Sequence, residues 1–145
     1  MEFPVHIPFV ERLGLEFIGW SEEGAEIAVE QKDELCNSWG VAHGGVTMTL
    51  LDVVMAHAVR RSDPRGLEAS PGAATVEMKT TFMRPGLGRL VAKGRVLHRT
   101  PSLAFCEASV FDAEGQLVAH ATGTFKSLKA LPAGGRRIPR HGATD

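Results

Sequence analysis

Residues 37–58 of this chain read NSWGVAHGGVTMTLLDVVMAHA, and this stretch decides the fold. A polar loop with glycines runs into an apolar segment, which predicts a helix of about four or five turns from about residue 44 to residue 61. Asp52 is the only acidic residue of the stretch, and leucine and valine lie on either side of it. Because an unpaired buried carboxylate is energetically costly, we expect Asp52 to have a chemical role.

The composition is that of one ordinary globular domain, with 145 residues, 43% hydrophobic and 23% charged. A formal net charge of −1 gives no electrostatic reason to expect nucleic acid or an anionic membrane as a partner. No apolar run approaches the roughly 18 residues that cross a bilayer, and the first residues lack a secretory pattern. The two cysteines fit neither a disulfide framework nor a zinc site, so we expect a cytoplasmic protein without metal or cofactor.

Alternating apolar and polar residues predict strands on both sides of the helix. A hairpin precedes the helix and an antiparallel meander of four strands follows it, and a short helix is expected within residues 4–13. The predicted strands are residues 15–20, 25–31, 73–83, 90–98, 102–111 and 117–128. We therefore predict an α+β domain over residues 1–129, with one antiparallel sheet, and a mobile tail over residues 130–145.

The junction His43-Gly44-Gly45 is a candidate site for developing negative charge. The first N–H groups of a helix have no partner within the helix, the helix dipole is positive there, and glycine allows close approach of a ligand. These properties suit an oxyanion hole, in which backbone N–H groups bind a carbonyl oxygen that becomes negative. A plain loop-to-helix junction with His43 near the cap position explains the same residues.

Asp52 lies eight residues after Gly44, which corresponds to about 12 Å along one helix. A base or nucleophile must lie within roughly 3 Å of its target, so one helix cannot offer both groups to one carbonyl. Two antiparallel copies of the helix could do so, and a helix that is apolar nearly all round needs cover on more than one side. We therefore predict a composite site at a homodimer interface. The alternative for Asp52 is a structural carboxylate that is hydrogen-bonded to a neighbour or exposed on one stripe of the helix.

The pattern NxxGxxHGG at residues 37–45, followed by TLxD at residues 49–52, resembles the hotdog-fold acyl-CoA thioesterases. It is most similar to the phenylacetic-acid-degradation type of the 4-hydroxybenzoyl-CoA thioesterase superfamily, and the similarity extends over roughly residues 10–128. The resemblance implies a long central helix wrapped by a bent antiparallel sheet of about five or six strands.

The resemblance also implies roles for individual residues. The substrate would be an acyl-CoA or aryl-CoA thioester, which is hydrolysed to the free acid and CoA. Asp52 would activate water as a general base or attack the thioester as a nucleophile. Gly44, with Gly45, would donate backbone N–H groups to the thioester oxygen, while His43 and Asn37 would shape and polarise the site.

Further positions are implied by the same resemblance. Thr75 occupies a place where the family often has a serine or threonine that holds the water, although an ordinary β-branched strand residue is an equal alternative. The phosphates of CoA predict basic residues at the mouth of the groove, and the candidates are Arg84 and Arg99, then Lys79, Arg95 and the tail arginines. The site would lie between the two chains of a homodimer, and two dimers would form a homotetramer.

Other interpretations remain open. A cysteine hydrolase would use Cys36 with His43, although a small buried thiol is the commoner role. A metal site from His43, Asp52 and His57 is disfavoured, since His57 lies about 140° round the helix from Asp52. A hotdog hydratase or dehydratase, or a non-catalytic acyl-CoA-binding protein, would use the same fold.

Overall fold

The computed structural model describes residues 2–131 and 134–139. Its helices are α1 (Pro8–Arg12) and α2 (Gly44–Arg61), with one 3₁₀ turn at Asp33–Leu35. Its strands are β1 (Glu16–Trp20), β2 (Gly24–Glu30), β3 (Gly72–Phe82), β4 (Arg89–Arg99), β5 (Leu103–Phe111) and β6 (Leu117–Leu128). Within these described residues, no helix is long and apolar enough to cross a membrane.

Helix α2 is the 18-residue segment that the sequence predicts, and the sheet wraps round it. Leu50, Leu51, Val54 and Met55 have no solvent exposure, and burial of each such side chain contributes about 1.5–3 kcal/mol. The helix lies directly on β4, because a Cβ placed at Gly94 would come within 3.0 Å of the Val54 backbone. The close approach at a glycine explains how one sheet can cover a helix this tightly.

The six strands form one antiparallel sheet in the order β1-β2-β4-β5-β6-β3. The predicted hairpin of β1 and β2 is confirmed, and β4, β5 and β6 form a meander. The prediction that β3 is the first strand of that meander is wrong, since β3 pairs with β6 at the far edge. Residues 83–88 do not turn back but cross to the loop before α2. There the Ala42 N–H donates to the Gly86 carbonyl (2.9 Å) and the Gly88 N–H donates to Gln31 Oε1 (2.6 Å).

Strand β3 is an edge strand whose pairing register shifts between Thr75 and Glu77. A bulge of this kind bends an edge strand and re-aims its side chains. The alternation that the sequence suggests for β3 is consequently interrupted. Val76 is 58% exposed and Phe82 is 51% exposed, so two apolar side chains of this strand face solvent in the protomer.

The chain beyond β6 returns to the start of β3. Ile138 covers Gly72, where an added Cβ would meet Ile138 Cδ1 at 2.5 Å. The Leu131 N–H donates to the Arg136 carbonyl (2.8 Å), which closes the turn that carries this segment back. Residues 132–133 and 140–145 of the predicted mobile tail lie outside the described residues.

Candidate active site

The first turn of α2 has one uncommitted backbone donor. Four N–H groups at a helix start lack partners within the helix. The Gly45 N–H donates to His43 Nδ1 (2.8 Å), and the N–H groups of Val46 and Thr47 donate to the His43 carbonyl (2.9 and 3.3 Å). The Gly44 N–H makes no hydrogen bond within the described part of the chain. Of the two glycines that the sequence suggests as oxyanion donors, Gly44 is therefore the one that is free to donate.

His43 is the N-cap of α2, with an extended backbone (φ −60°, ψ 138°). Because its Nδ1 accepts a backbone hydrogen bond, the proton of the neutral ring sits on Nε2, which then points a donor away from the helix. Gly45 permits this geometry, since a Cβ there would approach His43 Nδ1 to 3.0 Å. The glycine pair thus has two functions, in which Gly44 exposes its N–H and Gly45 makes room for the imidazole.

Asn37 holds the loop that precedes the helix. Its Oδ1 accepts from the N–H groups of Trp39 (2.9 Å) and Val41 (3.3 Å), and Gly40 turns the chain with φ +74°. The amide oxygen is thus occupied, whereas the amide nitrogen is available as a donor. Trp39, which sequence reasoning did not select, is 86% exposed beside this loop. A tryptophan between two site residues was the available signal, because exposed tryptophan is uncommon outside binding surfaces.

Asp52 lies halfway along α2 and is oriented by β3. Thr75 Oγ1 donates to Asp52 Oδ1 at 2.6 Å, which joins two residues that are 23 positions apart. In the protomer Asp52 is only partly buried, on the helix face beside the β3 edge, so one chain alone does not desolvate the carboxylate. Thr75, at the bulge, contacts the carboxylate directly, so it fixes one oxygen and leaves the other available.

The structure places these residues in two separate groups. Asn37, His43 and Gly44 lie at the start of α2, whereas Asp52 and Thr75 meet at its middle. The helix between Gly44 and Asp52 is continuous, so about 12 Å of axial rise separates the two groups within one chain. Within one protomer, the candidate oxyanion donor and the candidate carboxylate are therefore apart, and we call these two groups the half-sites.

The basic residues considered for CoA have different environments. Arg84 is exposed near the end of β3, and its Nη1 donates to the Leu117 carbonyl (2.9 Å). Arg99 lies at the opposite end of α2 and donates from Nη1 to the Val59 carbonyl and to Ser62 Oγ, both at 2.8 Å. Because these donors are already used within the fold, we do not retain Arg99 as a CoA contact.

The other interpretations lack the geometry they need. Cys36 Sγ donates to the Lys32 carbonyl (3.3 Å), and no hydrogen bond joins it to His43 in the described chain. No group of three His, Cys, Asp or Glu side chains is placed to hold a metal ion among the described residues. His57 donates from Nδ1 to the Val53 carbonyl (2.7 Å), and burial lowers the pKa of His57 to about 4. His57 is therefore a neutral core residue.

Similarity to known proteins identifies the family. Residues 40–119, more than half of the chain, match the model of the thioesterase superfamily. The chain belongs to the thioesterase superfamily. A candidate esterase of Halobacterium salinarum is 30% identical over an alignment of 129 residues, and the match covers 79% of this chain and 84% of the relative. A medium/long-chain acyl-CoA thioesterase of Escherichia coli is 26% identical over 136 residues, with 85% and 87% covered.

Solved structures superpose on this hotdog fold. A Bacillus halodurans protein solved with CoA superposes with a TM-score of 0.73 at 27% identity, over 85% of this chain and 77% of that one. An Escherichia coli protein of the phenylacetic acid degradation operon superposes with a TM-score of 0.75, over 85% and 86%. At 20% identity, this second likeness shows the fold alone.

Proposed function

We propose that this thioesterase-superfamily protein hydrolyses an acyl-CoA or aryl-CoA thioester to the free acid and CoA. The observation that carries the proposal is the Gly44 N–H at the positive end of α2, which has no partner among the described residues, together with the partly buried carboxylate of Asp52, which Thr75 orients. A donor for a developing oxyanion and a carboxylate that acts on water or carbon are the two groups that thioester hydrolysis requires.

The complete site requires a second copy of the chain. The outer edge of β3 pairs with no described strand, and it exposes Val76 and Phe82. Phe82 lies 3.4 Å from a Cβ built at Gly44, so the exposed edge reaches the helix start. A two-fold contact along this edge would cover these apolar side chains and bring Gly44 of one protomer beside Asp52 of its partner. Two such homodimers would form the homotetramer that the family resemblance implies.

Two routes are open for Asp52. As a general base, it takes a proton from water while the water oxygen attacks the thioester carbonyl carbon, and the carbonyl oxygen becomes negative beside the Gly44 N–H. Collapse of this tetrahedral intermediate breaks the carbon–sulfur bond, and the departing thiolate takes the proton from Asp52. As a nucleophile, Asp52 displaces the thiolate itself and forms an acyl anhydride, which water hydrolyses.

The acyl group is the part of the proposal that needs a panel of substrates. The Escherichia coli relative is named for medium- and long-chain acyl-CoA. The phenylacetic-acid type remains part of the proposal because of the motif at residues 37–45. Phenylacetyl-CoA, a medium-chain fatty acyl-CoA and a long-chain fatty acyl-CoA are therefore the substrates to compare.

The first test measures thiol release from this panel by the wild type and by Asp52→Asn. We expect kcat/KM of Asp52→Asn to fall at least a hundredfold, about 2.7 kcal/mol, with the fold unchanged by circular dichroism. Asp33→Asn, which changes an exposed carboxylate, should leave the rate unchanged. Unimpaired Asp52→Asn would refute the assigned site. Acyl-CoA binding without thiol release would favour the non-catalytic alternative, and hydration of an enoyl-CoA would favour the hydratase.

Gly44→Pro tests the oxyanion donor separately. Proline at the first helical position lacks only an N–H that the helix does not use, and the extended backbone of His43 suits a residue before proline. We expect a rate loss of about 10²–10³-fold with helix α2 intact. A Gly44→Pro enzyme with wild-type rate would show that this N–H does not bind the oxyanion.

Mixing the two inactive variants tests the composite site. If Gly44 and Asp52 act from different chains, a dimer of one Asp52→Asn and one Gly44→Pro protomer contains one intact site. Random reassembly should then restore roughly a quarter of the wild-type activity. No recovery, with exchange verified by mass spectrometry, would mean that each chain works alone.

A further inference from the structure

A cavity of about 820 Å³ lies at the C-terminal end of α2, away from both half-sites. We call it the Arg60 cavity. Three cationic side chains line it, Arg60, Lys129 and Arg137, against one acidic side chain, Glu68. Trp20 and Ile138 provide apolar wall. The excess of positive charge indicates an anionic ligand, provided that these cations are not already paired within the protein.

Arg60 is the informative member of this set. Its Nε and Nη1 are shielded from solvent without a hydrogen-bond partner among the described residues, and no described acid forms an ion pair with it. Burial lowers the pKa of the Arg60 guanidinium. A half-buried cation with two shielded, unpartnered nitrogens is costly. Its third nitrogen, Nη2, is not among the shielded atoms, and an anion that contacts Nη2 from the cavity would offset part of that cost.

Within the described part of the chain, the surroundings offer Arg60 no internal counter-ion. His57, on the same helix, is buried among Phe3, Phe17 and Trp20, and burial lowers its pKa to about 4, so it is neutral at pH 7. Glu68 is exposed and forms no ion pair in the described structure. The nearby buried acid, Asp63, is held by Arg65 and Arg99. Among these groups, none neutralises Arg60.

The cavity is at a suitable distance from the catalytic carboxylate. Arg60 lies eight residues after Asp52, about 12 Å along α2. Gly72, which lines the cavity, lies three residues before Thr75, about 10 Å along β3. CoA has about thirteen bonds between its sulfur and its first phosphorus, and three backbone bonds span roughly 3.5 Å, so its extended arm reaches about 15 Å.

We infer that the Arg60 cavity binds a phosphate group and, resting on the proposed function, that it receives the nucleotide end of CoA while the thioester lies at Asp52. Arg60 and Arg137 would contact phosphate oxygens, and Lys129 would add a point charge. The cavity is thus the chain's device for distinguishing CoA thioesters from thioesters that lack the nucleotide.

The test compares an acyl-CoA with the matching acyl-pantetheine, which has the same thioester but no nucleotide phosphates. For Arg60→Gln and Arg137→Gln, we expect KM for acyl-CoA to rise about tenfold while kcat and the constants for acyl-pantetheine stay unchanged. Arg61→Gln and Arg136→Gln are matched controls, since each removes a neighbouring arginine that does not line the cavity. Equal effects on both substrates, or equal effects of the controls, would overturn the inference.

Calorimetry with CoA, dephospho-CoA and inorganic pyrophosphate keeps the inference testable if the protein hydrolyses no thioester. CoA binding that weakens about tenfold in Arg60→Gln and not in Arg61→Gln would support the cavity while the proposed hydrolysis fails. Pyrophosphate binding as tight as that of CoA would support a phosphate site and overturn its assignment to CoA. Wild-type affinity in Arg60→Gln, with the variant folded, would overturn the site altogether.

Discussion

The two ends of helix α2 present positive charge by different means. The first turn of α2 contains no lysine or arginine, and its Gly44 N–H has no hydrogen-bond partner among the described residues. At the C-terminal end, where the helix dipole is negative, arginines provide the charge. Arg99 is hydrogen-bonded through both terminal nitrogens, whereas Nε and Nη1 of Arg60 have no partner among the described residues. A fixed backbone donor suits charge that develops during a reaction, whereas long cationic side chains suit charge that a ligand already carries.

The two histidines of this helix, at its start and near its end, differ in which ring nitrogen carries the proton. His43 accepts from the Gly45 N–H through Nδ1, whereas His57 donates through Nδ1 to the Val53 carbonyl. The ring nearer the helix start thus has its proton on Nε2, facing outward, and the ring in the last turns has its proton on Nδ1, facing the helix. The Nε2 of His57 is buried without a partner in the described structure, so the ring has no way to become charged cheaply.

Replacement of Arg99 is expected to have the largest effect on stability. Arg99→Met removes donors from the Val59 carbonyl, Ser62 and Ser127 at the negative end of α2, although Asp63 keeps its bonds to Arg65. We expect the free energy of unfolding to fall by about 3 kcal/mol in urea denaturation. Arg84→Met, at an exposed position, should cost far less. Equal losses in the two variants would contradict the view that the several hydrogen bonds of part-buried Arg99 stabilise the fold more than the one bond of exposed Arg84.

Because His57 is buried and neutral, we expect the protein to lose stability in mild acid, by less than Arg99→Met loses. The folded pKa of about 4 is below the ordinary value of 6.5, so the unfolded chain binds the extra proton between these values. Stability therefore decreases as pH falls through this window, by about 2 kcal/mol between pH 7 and pH 5. His57→Leu should abolish this part of the pH dependence, whereas His98→Leu, at an exposed position, should retain it. If the free energy of unfolding depends on pH equally in the wild type and both variants, His57 does not dominate the loss of stability in acid.

Local patterns in the sequence were sufficient for most of the fold. Helix α2 begins at Gly44 and ends at Arg61 as predicted, because its caps and its apolar run are local signals. The position of β3 was not predictable in this way. Its place beside β6 depends on bonds between residues 83–88 and the loop before α2, and no pattern within β3 specifies them.

The sequence predicts which residues form the candidate site, but not which of them are hydrogen-bonded to one another. The spacing from Gly44 to Asp52 already indicated that one helix cannot complete the site. The commitment of the Gly45 N–H to His43 and the bond between Thr75 and Asp52 depend on a cap and a bulge that only coordinates reveal. Arg99 and Arg60 look alike in sequence, and only their surroundings separate a structural residue from a ligand candidate.

Thr75→Val tests how much the half-site at mid-helix depends on orientation. The change keeps the shape of the side chain and removes the 2.6 Å hydrogen bond to Asp52. We expect kcat to fall about tenfold, about 1.4 kcal/mol, because the carboxylate loses its fixed direction. Thr75→Ser should recover most of the rate, since it restores the hydroxyl. Failure of serine to recover it would assign the loss to packing at the bulge.

Arg60→Gln is expected to change stability least, and to raise it, whereas Arg99→Met lowers it. A cation in the last turn gains about 0.3–1 kcal/mol from the helix dipole, but two guanidinium nitrogens of Arg60 have lost water without gaining partners among the described residues. Since the second contribution is larger, we expect the variant to be more stable in phosphate-free buffer, by less than about 1 kcal/mol. Adding pyrophosphate should stabilise the wild type and leave Arg60→Gln unchanged in thermal denaturation. A destabilised Arg60→Gln would place Arg60 with Arg99, as a cation that the fold itself requires.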